Sequence, residues 1–317
     1  MRLTRRELMA YATAATAFAP PAQGAVERAG GPAFGSSWRA VTDADPEVVR
    51  SAVAEVVAET DATMSPYLRD SELARFNRFT GARRFPASDD LRRVAADALR
   101  IAEMSDGAFD PTVGPLVRRY GFGPISGMAG GFRGLSVDVA GIAKADSGLT
   151  LDLCGIAKGH ALDRIVARLE VTGVRRALVE LGGETRAIGS HPDGRPWLVG
   201  VERPGSDALE LQRIVRPGRL ALATSGTRPN GFAARGVQVS HVIDPRSGRP
   251  VPGTPSVTVA AATACEADAW ATALLVLGHE EGPDVAERLG LAALLLMPDG
   301  GALREVMTGG FEDLVVE

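Results

Sequence analysis

Cysteine is almost absent from this 317-residue chain, which has only Cys154 and Cys265. Two are too few for a disulfide framework and lack the close spacing of a thiolate zinc site, so oxygen is the ligand left for any metal. Excess positive charge is lacking too: 35 Lys and Arg face 39 Asp and Glu, giving a net charge of -4 and a pI near 5.7. No Lys/Arg run carries interleaved aromatics, which are only 5% of the residues, so nothing compensates a phosphate backbone and nucleic acid is excluded as a partner. Beyond the N-terminal stretch, no segment reaches the roughly 20 apolar residues that a bilayer-spanning helix needs, and no linker or low-complexity tract divides the chain. What is there, 45% apolar and 23% charged residues, suits a sizeable core and excludes disordered and fibrous classes.

Residues 1–24 read as an export signal. Arg2, Arg5 and Arg6 precede small apolar residues from Met9 to Ala19, and Pro20, Pro21 and Ala22-Gln23-Gly24 follow, which is the order of n-region, h-region and cleavage site. Arg5-Arg6 after Thr4 resembles a twin-arginine signal, the route for proteins that fold and load a cofactor before crossing. An ordinary secretory signal with adjacent arginines is the alternative. The expected location is the periplasm. With three arginines and Glu7 removed, the mature chain of residues 25–317 goes from a net charge of -4 to -6.

Gly/Pro punctuation is spread evenly over those residues, as in one large mixed domain. Asp45 and Pro46 make a cap and first-turn pair before Val48, Val49, Ala52, Val53, Val56 and Val57; Ser88 caps a second helix through Ala102; Ala264 to Leu277 forms a third. β-rich runs stand at Ala177–Leu181, Trp197–Val201, Leu220–Ala223, Val237–Ile243, Ser256–Ala260 and Ala292–Met297. They do not alternate regularly with helices, so the expected class is α+β rather than a doubly wound sheet. Val137 to Lys144 is echoed by Leu151 to Lys158, and only the second copy continues into Gly159-His160-Ala161 and an amphipathic helix. The second copy is therefore the functional candidate.

Gly155, Gly159 and Gly182-Gly183 allow close backbone approach or positive φ at turns, which suits a phosphate, although their spacing is neither a Rossmann fingerprint nor a Walker loop. Ordinary tight turns are the favoured reading of the spacing alone. Asp268 and Thr272, four apart on a helix, place a carboxylate and a hydroxyl within reach of one hard cation; an exposed Asp and a core-facing Thr is the other reading. His241 ends a β-rich run just before Asp244-Pro245, where a structural role competes with a catalytic one. Gly107 to Pro115 has the composition of a buried, ligand-lining loop.

In chain order, these segments resemble the ApbE-type FAD:protein FMN transferases. Phe34-Gly35-Ser36 stands where that family has Met-Gly-Thr. Met64-Ser65-Pro66-Tyr67, Ser71-Glu72-Leu73 and Phe76-Asn77 follow, then Gly107 to Pro115, Leu151 to Gly159, and Leu178 to Glu184. Ala223-Thr224-Ser225-Gly226, Ser240 to Gly248 and Ala267 to Thr272 close the series. Each motif is modest, but the ordered set of eight is specific.

The resemblance implies a single mixed α+β domain and a reaction in which FAD is cleaved at its pyrophosphate, FMN is joined to a Thr or Ser hydroxyl of a partner protein, and AMP leaves. Mg2+ would be held by the Ala157 carbonyl, the Asp268 carboxylate and the Thr272 hydroxyl. FAD contacts would fall on Phe34, Ser65, Tyr67, Ser71, Asp110, His160, Ser225 and His241, with His241 and Asp268 catalytic. The implied acceptor is an exported domain of a redox membrane complex: Rnf, a Na+-pumping quinone oxidoreductase, or a regulator of nitrous-oxide reduction. Phe34 and Ser36 depart from the family's Met and Thr, Thr227-Arg228 departs after the Thr-Ser-Gly motif, and Cys154 replaces a glycine. Because Cys154 and Cys265 each lie three residues before a proposed ligand, their pairing in an oxidising compartment stays open. An FAD pyrophosphatase giving AMP and FMN, and an exported FAD carrier without chemistry, are the alternative activities.

Overall fold

Alternation of apolar and polar residues in the β-rich runs is resolved by an eight-stranded antiparallel sheet in a computed structural model. The structure describes residues 26–81, 83–205, 210–226, 232–234, 237–253, 255–299 and 302–316. The expected export signal, residues 1–24, and Thr227-Arg228 lie outside them. The sheet strands are β1 (Glu27–Ala33), β2 (Ser36–Thr42), β3 (Ala177–Leu181), β4 (Glu184–Ile188), β5 (Ala221–Gly226), β6 (Ser256–Ala261), β7 (Ala292–Asp299) and β8 (Ala302–Thr308). Their order across the sheet is their order along the chain, and every neighbouring pair is antiparallel.

The helices are α1 (Pro46–Met64), α2 (Glu72–Arg78), α3 (Asp89–Met104), α4 (Gly114–Arg119), α5 (Ala157–Val171) and α6 (Ala264–Leu289). Helices and sheet strands occupy separate stretches of chain, as the α+β class requires. The expected caps are in place: Asp45 accepts from the Glu47 amide, and Ser88 from the Leu91 amide. Strand β7 has both faces covered. Ala293, Leu295 and Met297 join the core beneath α6, whereas Leu294 and Leu296 join a second core with Val201, Val215 and Phe311. Burial of both faces explains its unbroken apolar run.

Two expectations change. The run Val237–Ile243 is not one strand: Val237–Val239 and Ile243–Asp244 pair separately, and the Ser240 hydroxyl accepts the Val242 amide between them. That side-chain bond offers the backbone an alternative to the ladder and leaves His241 in the break. The third helix runs on to Leu289 across Gly278, whose φ of 69° and ψ of -159° interrupt it. The first Gly-Ile-Ala-Lys copy also finds its role. Gly141–Lys144 is a hairpin strand, and the Lys144 ammonium donates to the carbonyls of Asn77 and Phe79 at the end of α2, over the Phe76 ring.

Candidate active site

Helices α5 and α6 meet at their N-terminal ends, and three features of the sequence bring them together. Thr263 caps α6 in the ordinary way through the Glu266 amide. Asp163, one turn into α5, accepts from the amides of Ala264 and Cys265 while pairing with Arg186. Gly159 supplies the clearance, because a Cβ there would lie 2.1 Å from the Ala264 carbonyl oxygen. Helix α5 has no side-chain cap of its own. Instead, Asp268 reaches across from α6, and its Oδ2 accepts the Gly159 amide at 3.1 Å. A carboxylate at a helix N-terminus satisfies an orphan donor and meets the positive end of the helix dipole.

The other Asp268 oxygen, Oδ1, lies 3.4 Å from Lys158 Nζ, which also stands 2.5 Å from Glu184 Oε1. Asp268 and Glu184 are buried, and the second Glu184 oxygen has no hydrogen-bond partner. Burial raises the Glu184 carboxyl, and the neighbouring Asp268 adds to the shift, while Lys158 opposes it. The two carboxylates raise the Lys158 ammonium against the opposing effect of burial. Lys158 packs against the β3–β4 turn at Gly182, where φ is 62°, and the Gly182 amide donates to the Ser37 carbonyl. The β1–β2 turn of Phe34-Gly35-Ser36 thus abuts this cluster, with Phe34 itself at a φ of 48°.

One turn beyond Asp268, the Thr272 hydroxyl lies 3.2 Å from that of Ser225 on β5. A Cβ at Gly155 would come within 3.3 Å of the Thr272 oxygen, so the glycine keeps the space before that hydroxyl clear. A carboxylate, two hydroxyls and the carbonyl at the start of α5 form a hard, all-oxygen donor set. Few carboxylates and room for water are the donor habit of Mg2+, and among the described residues no group of three or more His, Cys, Asp or Glu suits another metal. The oxygen donors of Asp268, Thr272 and Ser225, with the space before Thr272 kept clear at Gly155, fit the expected metal.

His241 faces the same cluster. The Lys158 charge adds to burial in lowering its pKa, and its Nδ1 is buried without a hydrogen-bond partner. Its ring meets the Phe122 ring edge-on at 6.2 Å, and the Phe122 carbonyl accepts from the Tyr67 hydroxyl. Tyr67 is 68% exposed; partial burial, Cys154 and Asp152 raise its phenol. Cys154 is exposed on this side, and Cys265 is buried; both are free thiols.

The structure therefore brings Ser225, His241, Asp268 and Thr272 around Lys158, with Ala157 its chain neighbour, Phe34 on the abutting β1–β2 turn and Tyr67 joined to His241 through Phe122. Ser65 stands beside Tyr67 and accepts its amide. Two other expected flavin contacts, Ser71 and Asp110, bond to protein groups, and a third, His160, is buried. Ser71 caps α2, its hydroxyl donating to the Ser65 carbonyl and accepting the Ala74 amide. His160 is buried among the charges of Asp90, Arg93 and Arg164, and its Nε2 has no partner. Asp110 accepts from the amide and hydroxyl of Thr112 and lines a cavity of about 350 Å³ with Arg133, Pro245 and Arg246. Sequence reasoning gave no role to Lys158, Glu184 or Phe122. Lys158 and Glu184 lie inside the Leu151–Gly159 and Leu178–Glu184 motifs, and a charged residue beside each motif's glycines is the available signal.

The ApbE family profile matches residues 34–295. The FAD:protein FMN transferase of Vibrio cholerae is 35% identical over 85% of this chain and 85% of its own; that of Escherichia coli is 33% identical over 90% and 88%. Among solved structures, the flavin transferase ApbE from Vibrio cholerae superposes with a TM-score of 0.82 at 32% identity, covering 92% of this chain and all of the other. The flavinyl transferase ApbE of Pseudomonas stutzeri gives 0.81 at 33% identity, covering 93% and 98%.

Proposed function

This chain belongs to the ApbE family and is an FAD:protein FMN transferase, and from that premise we propose that it joins FMN to a Thr or Ser hydroxyl of an acceptor protein, releases AMP and uses Mg2+. The observation that carries this reading is the meeting of Asp268 and Thr272, one turn apart on α6, with Ser225 of β5 and with His241 from a distant loop, around Lys158. Asp268 Oδ1, the Thr272 hydroxyl and the Ala157 carbonyl would hold the cation. When bound, Mg2+ supplies neutralisation of the charge that develops on the phosphate oxygens.

His241 is kept neutral by burial and by Lys158, and a neutral imidazole is the form that can take a proton. As the acceptor oxygen bonds to the FMN phosphorus, its proton passes to a ring nitrogen of His241. The bond from that phosphorus to the AMP oxygen breaks, and AMP leaves with the electron pair. Tyr67, exposed at the mouth, offers a face on which a planar ring can stack. Acceptor domains of redox membrane complexes such as Rnf, the Na+-pumping quinone oxidoreductases or the regulator of nitrous-oxide reduction have the required chemistry, and the periplasm is the proposed compartment.

The test is in-gel flavin fluorescence of such a domain after incubation with the protein, FAD and Mg2+. The domain should become covalently fluorescent while AMP appears in equal amount, and its Thr→Ala variant should stay dark. AMP and free FMN released regardless of the acceptor would mark a pyrophosphatase, and release of neither a carrier. His241→Ala should abolish labelling with FAD binding retained; unchanged labelling would return His241 to a structural role.

A further inference from the structure

We propose that Lys158 is a resident competitor for the divalent-cation site, and that Glu184 is the carboxylate that takes up its ammonium when a cation occupies Asp268. The inference rests on Asp268 being a metal ligand. Its basis is the asymmetry of the cluster: Lys158 Nζ is 2.5 Å from Glu184 and 3.4 Å from Asp268. The ammonium thus already sits on Glu184 and only leans on Asp268 Oδ1. Asp268 Oδ2 is committed to the Gly159 amide, so Oδ1 is the oxygen for which Lys158 and an incoming cation compete.

Glu184 is suited to the exchange. Its side chain is 2% exposed and ends in an oxygen with no partner, so it has unused acceptor capacity for an ammonium shifted by the cation. Lys158 cannot leave easily, because its backbone is in the first turn of α5 and its stem lies along Gly182. In a buried cluster, each unit charge acts strongly on a dication a few ångströms away. The two residues must therefore tune affinity in opposite directions, Lys158 lowering it and Glu184 raising it. The pair together leaves the net charge around Asp268 unchanged.

The experiment titrates the full-length mature protein with Mn2+ without FAD, at one fixed pH, and counts free Mn2+ by its electron paramagnetic resonance signal. Lys158→Met should tighten binding by about tenfold or more and Glu184→Gln should weaken it by a similar factor; the double variant should lie within a few-fold of the parent. Should Lys158→Met alone fail to fold, adding it to Glu184→Gln asks the same question in a neutral pair, and affinity should rise about tenfold. Weaker or unchanged Mn2+ binding on losing Lys158 in either background overturns the proposal. Asp268→Asn serves as the separate control: parent-like Mn2+ binding in that variant would show that the ligand assignment itself is wrong.

Discussion

Gly159 and His160 are chain neighbours with opposite demands. The sequence leaves Gly159 between a phosphate approach and an ordinary turn, and its missing Cβ serves the crossing of α5 and α6 at Ala264. Spacing along one chain segment cannot reveal a partner a hundred residues away. His160 buries an imidazole that burial holds down at about 4; Arg93 and Arg164 push the same way, and Asp90 opposes them. Unfolded, the ring takes its proton near the ordinary value of 6.5. Stability is therefore complete above that value, falls as pH drops from 6.5 towards 4, and changes no further through this group below it. The loss is about 3 kcal/mol. Urea unfolding of His160→Gln across this range should show a flatter acid limb than the parent; equal slopes would mean that His160 is not the group responsible.

At the scale of elements, the site depends on how helices end. The caps at Asp45 and Ser88 were legible because a cap and its helix are contiguous. The cap that matters for chemistry was not, since Asp268 closes the N-terminus of α5 from another helix, and Asp163 returns the arrangement at α6. Asp163→Ala removes two charge-assisted bonds and leaves Arg186 without this carboxylate. A loss of about 2–3 kcal/mol is expected, read as a lower urea midpoint at unchanged slope, with Mg2+ affinity falling because Asp268 loses its register on α5. An unchanged midpoint would show that Thr263 caps α6 sufficiently by itself. The break at Ser240-His241 is another case: apolar residues on both sides read as one strand, and a single serine hydroxyl decided otherwise.

Across the whole molecule, segments from residue 36 to residue 272 meet around Lys158, so the proposed flavin and metal site exists only in the folded chain and its ligands would stabilise it by mass action. That dependence matches export after folding, which we propose for the twin arginines at Arg5-Arg6. Replacing both by Lys should hold the protein in the cytoplasm in a folded, protease-resistant form, as fractionation and immunoblotting would read. Periplasmic delivery of that variant at the normal level would point to the general secretory route. Among the described residues no helix is long and apolar enough to cross a membrane.

By itself, the sequence determined the α+β class, the capped helices, four of the eight sheet strands and the family, because these follow from periodicity, local caps and short ordered motifs carried by contiguous residues. It also contained Asp268, Thr272 and His241 as candidates, since each stood in such a motif. Only the tertiary structure decided which of them meet around Lys158, that Ser71 caps a helix, that His160 is buried with its Nε2 unpartnered, and that Lys158 bridges Asp268 and Glu184. The physical reason is that a side chain's charge and partners are set by burial against residues remote in sequence. Periodicity reports which face of an element is buried, but not what it meets there.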